Sequence, residues 1–323
     1  MNELPQEQLE YVKQAISQLI DNIELELVGQ RQVVEQVIIA FIAGGHVLLE
    51  GVPGLGKTLL VRLLAKSISL DHKRVQFTPD LMPADVTGHT MVNMKTGDFI
   101  VKKGPVFTNL LLADEINRAP AKTQAALLEV MQEQQVTIDG EAFKVGSPFM
   151  VLATQNPIDN EGTYPLPEAE LDRFMMKLVI DYPDEQDEIL LTQQIASKRS
   201  GAQQAEIETV MSAETLTTIR RAMEAVIVDP ELVAYAVSIV RATRQWQGLT
   251  RGAGVRASIA LIQAAKVAAL FEGLGFVTPD HVKSMINCVL RHRVNLSAEK
   301  EIAGVQIDDV LDELSNTIEV PRK

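Results

Sequence analysis

The stretch EGVPGLGKTLL, residues 50–60, restricts the possible folds of this chain more than any other segment. It matches the pattern G-x-x-x-x-G-K-[ST], with Gly51, Gly56, Lys57 and Thr58 at the fixed positions. Glycines allow successive backbone N–H groups to turn inward around a phosphate, and a following helix directs its positive end at the same charge. The pattern therefore predicts a binding site for a nucleoside triphosphate.

The flanking segments agree with this prediction. The apolar run at 46–49 is typical of a buried strand, and Leu59–Ile68 has helical spacing. Lys57 would contact the β- and γ-phosphates, and the Thr58 hydroxyl would bind Mg²⁺. A purely structural loop is the alternative, although a turn alone needs only one or two such residues. The residues expected to contact nucleotide here are Gly51, Val52, Pro53, Gly54, Leu55, Gly56, Lys57, Thr58 and Leu59.

Length, charge and cysteine content exclude several classes of protein. A chain of 323 residues can form one large or two moderate domains. Its net charge of −13 argues against sequence-independent binding of DNA or RNA as the main activity. The single cysteine, Cys288, excludes an internal disulfide and a zinc site built from cysteines. The start lacks the features of a signal peptide, and the most apolar segment, Val37–Leu49, is too short to span a bilayer. We therefore expect a cytoplasmic protein with no membrane insertion.

Alternating strands and helices predict an α/β fold, a parallel sheet with helices on both faces. Helices are expected at Leu9–Ile23, Gln30–Ala43 and Ala121–Gln132. Two segments, 91–103 and 135–145, place a Thr-Gly or Asp-Gly pair between alternating residues and predict hairpins. Decoration of the sheet edge is the alternative to a functional role for these hairpins. The predicted strands are 47–50, 74–77, 109–114, 149–154 and 177–181.

Strand patterns stop after residue 184, and the rest of the chain is expected to be helical. Asp229 and Thr278 each precede a proline and an early acidic residue, which is typical of a helix start. We predict an α/β ATP-binding domain over 1–183, with N-terminal helices and two hairpin insertions, and a helical lid domain over 184–323.

Polar residues follow two of the predicted strands. Asp114 and Glu115 end one strand, where the Asp could bind Mg²⁺ and the Glu could polarise an attacking water. A helix cap is the alternative, but the phosphate loop upstream favours catalysis. Asn156 follows the next strand and could orient that water, because parallel strands end at one sheet edge. An ordinary Asn-Pro turn is the alternative there.

Four segments, GVPGLGKT, LLADEINRAP, ATQNPIDNEGTYPLPEAELDRF and GAGVRAS, resemble in order and spacing an AAA+ ATPase of the MoxR family. The resemblance covers nearly the whole chain. It implies an α/β nucleotide domain, a helical lid, and a ring, usually hexameric, with ATP bound between subunits. It also implies the following roles: Lys57 and Thr58 in Walker A, Asp114 and Glu115 in Walker B, Asn156 as sensor 1, Arg173 as arginine finger, Arg256 as sensor 2, and Val28 and Gly29 beside adenine.

Without the resemblance, Arg173 and Arg256 would be interpreted as ordinary surface or salt-bridge residues, and Asp172 could pair locally with Arg173. The two hairpins match family insertions that face the central pore or the client. The function implied is an ATP-driven remodeller, a chaperone or maturation factor for client proteins, with partners that contain a von Willebrand factor A domain.

Two other functions are weighed against this one. A nucleic-acid-associated AAA+ motor or initiator is disfavoured by the acidic charge, and a small-molecule kinase by the water-activating Glu115. Several arginines keep the nucleic-acid hypothesis open: Arg241, Arg244, Arg251, Arg256, Arg291 and Arg293.

Overall fold

The computed structural model describes residues 4–52, 54–156, 162–197 and 207–321. Its strands are β1 (Val47–Glu50), β2 (His72–Gln76), β3 (Gly88–Val92), β4 (Phe99–Lys103), β5 (Leu110–Asp114), β6 (Gln135–Ile138), β7 (Glu141–Lys144), β8 (Met150–Gln155), β9 (Met176–Val179), β10 (Leu249–Arg251) and β11 (Asn295–Leu296). Its helices are α1 (Gln6–Glu24), α2 (Arg31–Ile42), α3 (Lys57–Ile68), α4 (Pro83–Thr87), α5 (Ala121–Glu133), α6 (Glu168–Leu171), α7 (Glu185–Ser197), α8 (Ala213–Ala225), α9 (Pro230–Ala242), α10 (Val255–Glu272), α11 (Pro279–Ser284), α12 (Ile286–Leu290), α13 (Ala298–Ile302) and α14 (Ile307–Thr317), with a 3₁₀ turn at Ile116–Arg118.

Five parallel strands form the central sheet in the order β2-β5-β8-β1-β9. Along β5, Leu110 and Leu112 pack in the hydrophobic cluster on one face, while Leu111 and Ala113 pack in the cluster on the other. This alternation buries both faces, as the continuous apolar runs predict. The strand order also brings the ends of β5, β8 and β1 side by side.

The predicted sheet is confirmed, with strand bounds that differ by a few residues. Strand β2 differs from the buried central strands. Its residues are mostly exposed, because it lies at the edge of the sheet and pairs with β5 alone. Both predicted hairpins are present as β3–β4 and β6–β7. In the second, Asp139 and Gly140 both have positive φ, the backbone geometry of a tight two-residue hairpin turn.

The second half of the chain is mostly helical. The predicted helix starts are confirmed, since the side chain of Asp229 caps α9 and that of Thr278 caps α11. One addition is a small antiparallel pair, β10–β11. Hydrophobic residues of α1, α2, one sheet face and these later helices form one continuous cluster. The domain boundary at 183/184 stays a prediction.

Helix length and apolarity bear on membrane insertion. Among the described residues, no helix combines the length and the apolar character needed to cross a bilayer.

Candidate functional site

The loop from Gly51 to Gly56 connects β1 to α3, and its first and last positions require glycine. A Cβ atom on Gly51 would lie 2.5 Å from the carbonyl oxygen of Ile180, the residue after β9, so no larger residue fits there. Gly56 has φ +80° and precedes the first residue of α3, Lys57. The Lys57 ammonium donates to the carbonyl of Gly51. Pro53 lies outside the described residues.

A cleft of about 450 Å³ opens between this loop and the ends of β2, β5 and β8. The loop and helix contribute Gly54, Gly56, Lys57, Thr58 and Leu59 to its lining. Partial burial lowers the pKa of Lys57, while the nearby acidic residues oppose that shift. The cleft thus combines a cationic amine and the start of a helix, which is suited to a polyanionic ligand.

Asp114 and Glu115 face this cleft from the end of β5. The hydroxyl of Thr154 on β8 donates to Asp114 Oδ1 at 2.6 Å and accepts from the backbone N–H of Glu115 at 2.8 Å. Thr154 is 1% exposed, and hydrogen bonds of a buried hydroxyl are electrostatically stronger than those in water. Asn156, immediately after β8, also lines the cleft. The sequence-predicted lysine, hydroxyl, acidic pair and amide therefore meet in one place.

The edge strand β2 adds two residues that sequence reasoning missed. Arg74 donates through Nε and Nη2 to Asp114 Oδ2, at 3.1 and 2.6 Å. Gln76 accepts from Arg74 at 2.9 Å and donates to Glu115 Oε2 at 2.8 Å. Arg118 pairs with the same Glu115 oxygen at 2.9 Å. Gln76 could have been found, because it lies one residue before the end of a predicted parallel strand, 74–77, at the same sheet edge as Asp114.

Comparisons with known proteins agree with this geometry. A model of the "ATPase family associated with various cellular activities (AAA)" matches residues 46–176, and an AAA lid domain model matches residues 241–314. A crystal structure from Cytophaga hutchinsonii, provisionally described as an ATPase, superposes with a TM-score of 0.90 at 39% identity and covers 98% of each chain.

Individual similar proteins indicate which family of AAA ATPases this chain resembles most. The uncharacterized protein YeaC of Bacillus subtilis is 42% identical over 95% of both chains. Chaperone MoxR1 of Mycobacterium tuberculosis is 41% identical over 92% of this chain and 80% of its own. This chain belongs to the MoxR family of AAA+ ATPases. As a member, it binds nucleotide and hydrolyses ATP.

The remaining residues suggested by the MoxR resemblance lie outside the cleft. Val28 and Gly29 line a second cleft, beside the start of α7. The segment nevertheless runs close to the phosphate loop, because a Cβ atom on Gly56 would lie 2.7 Å from Leu27 Cδ1. Within the described part of the chain, the residues lining the nucleotide cleft include neither Arg173 nor Arg256.

Asp172 and Arg173, which could have paired locally, make other contacts instead. Asp172 accepts from Arg293 at 2.8 Å and lies 3.8 Å from Arg256. The Arg173 guanidinium donates to the carbonyl of Leu128 at 2.9 Å. The Asp172 carboxylate therefore contacts lid arginines that are distant in the chain. The local sequence does not reveal this pairing.

The MoxR lid arginines that left the nucleic-acid hypothesis open are mostly engaged within the chain. Arg251 pairs with Glu168 at 2.8 Å, and Arg291 pairs with Asp308 at 2.7 Å. Arg293 is buried, with 3% of its side chain exposed. Phosphate contacts require accessible cations, so pairing and burial make Arg251, Arg291 and Arg293 poor candidates for such contacts, whereas Arg241, Arg244 and Arg256 are exposed.

Proposed function

We propose that this MoxR-family chain forms a ring, a hexamer, in which Mg²⁺-dependent ATP hydrolysis drives the remodelling of partner proteins. The observation that most supports the chemistry is the convergence of Lys57, Asp114, Glu115 and Asn156 on one cleft. In this proposal Lys57 binds the β- and γ-phosphates, Glu115 polarises the attacking water, and Asn156 orients it.

Mg²⁺ fits the donor set of the cleft. Thr58 and Asp114 supply a hydroxyl and a carboxylate oxygen, the ligand type that Mg²⁺ prefers. The described residues contain no group of three or more His, Cys, Asp or Glu able to hold a metal by themselves. In this proposal the ion shares its coordination with the nucleotide phosphates. When bound, it would neutralise charge that develops on those phosphates.

The action on partner proteins is supported by an exposed apolar hairpin. On β3–β4 and its turn, Met94 is 94% exposed and Phe99 is 78% exposed, and Val92, the residue paired with Phe99, is exposed as well. Such patches mark contact surfaces, and the relative from M. tuberculosis is named a chaperone. Partners with a von Willebrand factor A domain stay a prediction from the family.

The nucleotide site is tested by two substitutions with different expected outcomes. Lys57→Ala should lose both tight ATP binding and hydrolysis, because it removes the charge that contacts the phosphates. Glu115→Gln should retain binding and lose most turnover, because it keeps the shape and removes the carboxylate. Nucleotide affinity and phosphate release are measured for both. Near-normal turnover by Glu115→Gln would remove Glu115 from its proposed role.

Ring assembly with a shared site is tested by mixing two inactive variants. Arg173→Ala lacks the proposed arginine finger, and Glu115→Gln lacks the catalytic carboxylate. Once subunit exchange is demonstrated, an Arg173→Ala subunit beside a Glu115→Gln subunit has a complete site, and turnover should partly return. An arginine finger contributes about 10³–10⁵ in rate. A mixture that stays inactive counts against Arg173 acting in trans.

A further inference from the structure

Arg293 lies where the lid meets the turn between α6 and β9, and its guanidinium is fully bonded. Its Nε donates to Asp172 Oδ1 at 2.8 Å. Its Nη1 donates to the carbonyls of Val289 and Met175, at 2.6 and 3.1 Å. Its Nη2 donates to the carbonyls of Phe174 and Asp172, at 2.7 and 3.3 Å. Five acceptors therefore match the five N–H donors of an arginine.

Four of those acceptors belong to residues 172–175, the segment that contains Arg173. His292 adds a bond from Nε2 to the carbonyl of Phe174 at 3.0 Å. Burial lowers the pKa of His292, so its ring is neutral and donates through one nitrogen. A planar guanidinium bonded to three of the four residues 172–175 fixes the direction of their backbone, which a lysine ammonium cannot reproduce.

The lid also contacts the other end of α6. Glu168, the first residue of this helix, pairs with Arg251 at 2.8 Å and accepts from Asn295 at 2.7 Å. Arg256 approaches Asp172 at 3.8 Å. The lid of the chain thus holds both ends of the short helix that precedes Arg173.

We propose that Arg293 is a positioning residue for Arg173, so that the lid of one subunit sets the place of the arginine presented to its neighbour. This inference rests on the proposed trans role of Arg173. Arg293 itself touches no nucleotide in this scheme and acts through the backbone of residues 172–175. Misplacement of a catalytic group by about 1 Å can cost roughly 10²-fold in rate, so loosening this turn should be measurable.

The test uses the mixture of Arg173→Ala and Glu115→Gln subunits. The Glu115→Gln subunit donates its Arg173, and the Arg173→Ala subunit accepts it at an intact Glu115 site. Arg293→Lys is then added either to the donating subunit or to the accepting subunit. Lysine keeps the charge but has three donors for five acceptors.

In the donating subunit, Arg293→Lys should lower the recovered kcat about 10- to 100-fold with the KM for ATP unchanged. In the accepting subunit, which has no Arg173 to position, the same change should leave the recovered kcat within about twofold. A residue that only stabilises the fold would give equal losses in both placements. Equal losses, or no loss in either placement, would overturn the inference.

Arg291→Lys is the matched control, because Arg291 is a neighbouring lid arginine bonded twice to a carboxylate, that of Asp308, within the lid itself. Arg291→Lys should leave the recovered kcat unchanged in both the donating and the accepting subunit. If Arg293→Lys does not fold by thermal melting, Asp172→Asn is placed in the same two subunits. An unmodified mixture that stays inactive after demonstrated exchange overturns the trans role itself. If turnover recovers in the unmodified mixture but Arg293→Lys has the same effect in both subunits, only the role of Arg293 is overturned.

Discussion

Thr154 links the two acidic residues of the site through a single hydroxyl. It donates to Asp114 and accepts from the backbone of Glu115, and it is buried. A hydrogen bond to a charged group contributes about 1.5–3 kcal/mol, so this hydroxyl restricts the side chain of Asp114 and holds the backbone of Glu115 in place. Orientation of the acids thus depends on a neighbouring strand.

Thr154→Val should keep the shape of the side chain and remove both bonds. We expect turnover to fall about tenfold, with ATP affinity changed less, because the Asp114 carboxylate and the Glu115 backbone each lose a hydrogen bond that orients them. Steady-state hydrolysis and nucleotide binding measure the two effects. Thr154→Ser, which restores the hydroxyl, is the control and should stay near the parent rate. Equal turnover for the valine and serine variants would contradict the assignment.

Residues with a fixed local spacing were predictable from sequence, and residues that meet across the sheet were not. Lys57, Thr58, Asp114, Glu115 and Asn156 were found because each follows a strand or a loop pattern. Arg74 was missed because its contact with Asp114 depends on β2 lying beside β5. Strand order is a tertiary property, and no local pattern encodes it.

At the scale of elements, the β3–β4 hairpin shows how a turn pattern predicts structure but not use. The turn Thr96-Gly97, with Gly97 at φ +78°, explains why the chain reverses there. The exposed apolar side chains on the hairpin could not be inferred from alternation alone, because alternation does not show whether a second layer covers either face.

Replacing Met94 and Phe99 with serine should weaken contact with partner proteins. We expect the double variant to lose at least half of its ability to suppress aggregation of a chemically denatured model protein, and to keep basal ATP hydrolysis. Ile302→Ser is the matched control, since Ile302 is 88% exposed on the lid helix α13. An equal loss in the control would show that general surface apolarity, and not the hairpin, is responsible.

His46 joins three elements at the sheet end opposite the cleft. Its Nδ1 accepts from the backbone N–H of Val151 at 3.0 Å, and its Nε2 donates to the carbonyl of Met131 at 3.1 Å. Burial lowers the pKa of His46 from 6.5 to about 4. The ring is therefore neutral in the folded protein.

The free energy of unfolding should fall as pH decreases from about 6.5 to about 4. In this range His46 binds a proton in the unfolded chain and stays neutral in the folded protein. The difference between these pKa values corresponds to about 3 kcal/mol. Denaturant unfolding across this pH range measures the slope. His46→Asn should be less stable at pH 7 but show a shallower slope, with His292 providing part of what remains. An unchanged slope would contradict the role of His46.

At the scale of the whole molecule, the lid is joined to the ATP-binding core by long-range contacts. Arg293 lies 121 residues from Asp172 in the chain, and the two helices α1 and α2 share a hydrophobic cluster with the lid. A helical second half was predictable from its patterns. The contact of the lid with the turn around Arg173 was not predictable, because an ion pair between distant segments produces no recognisable spacing in the local sequence.

ATP hydrolysis should be independent of nucleic acid. The chain has a net charge of −13, and three of the six lid arginines, Arg251, Arg293 and Arg291, are paired with Glu168, Asp172 and Asp308. Phosphate binding needs several accessible cations and weakens steeply with salt. We expect the rate to change less than about twofold on adding duplex or single-stranded DNA at low or moderate salt.

Phosphate release is measured with and without each DNA over a series of salt concentrations, with Glu115→Gln giving the background. Weak stimulation that is insensitive to salt would not involve phosphate contacts. A several-fold stimulation that disappears as salt rises would require a cationic surface that these ion pairs do not provide. It would therefore favour a nucleic-acid motor over the remodelling of partner proteins, and the exposed lid arginines, Arg241 and Arg244, would then be the first residues to substitute.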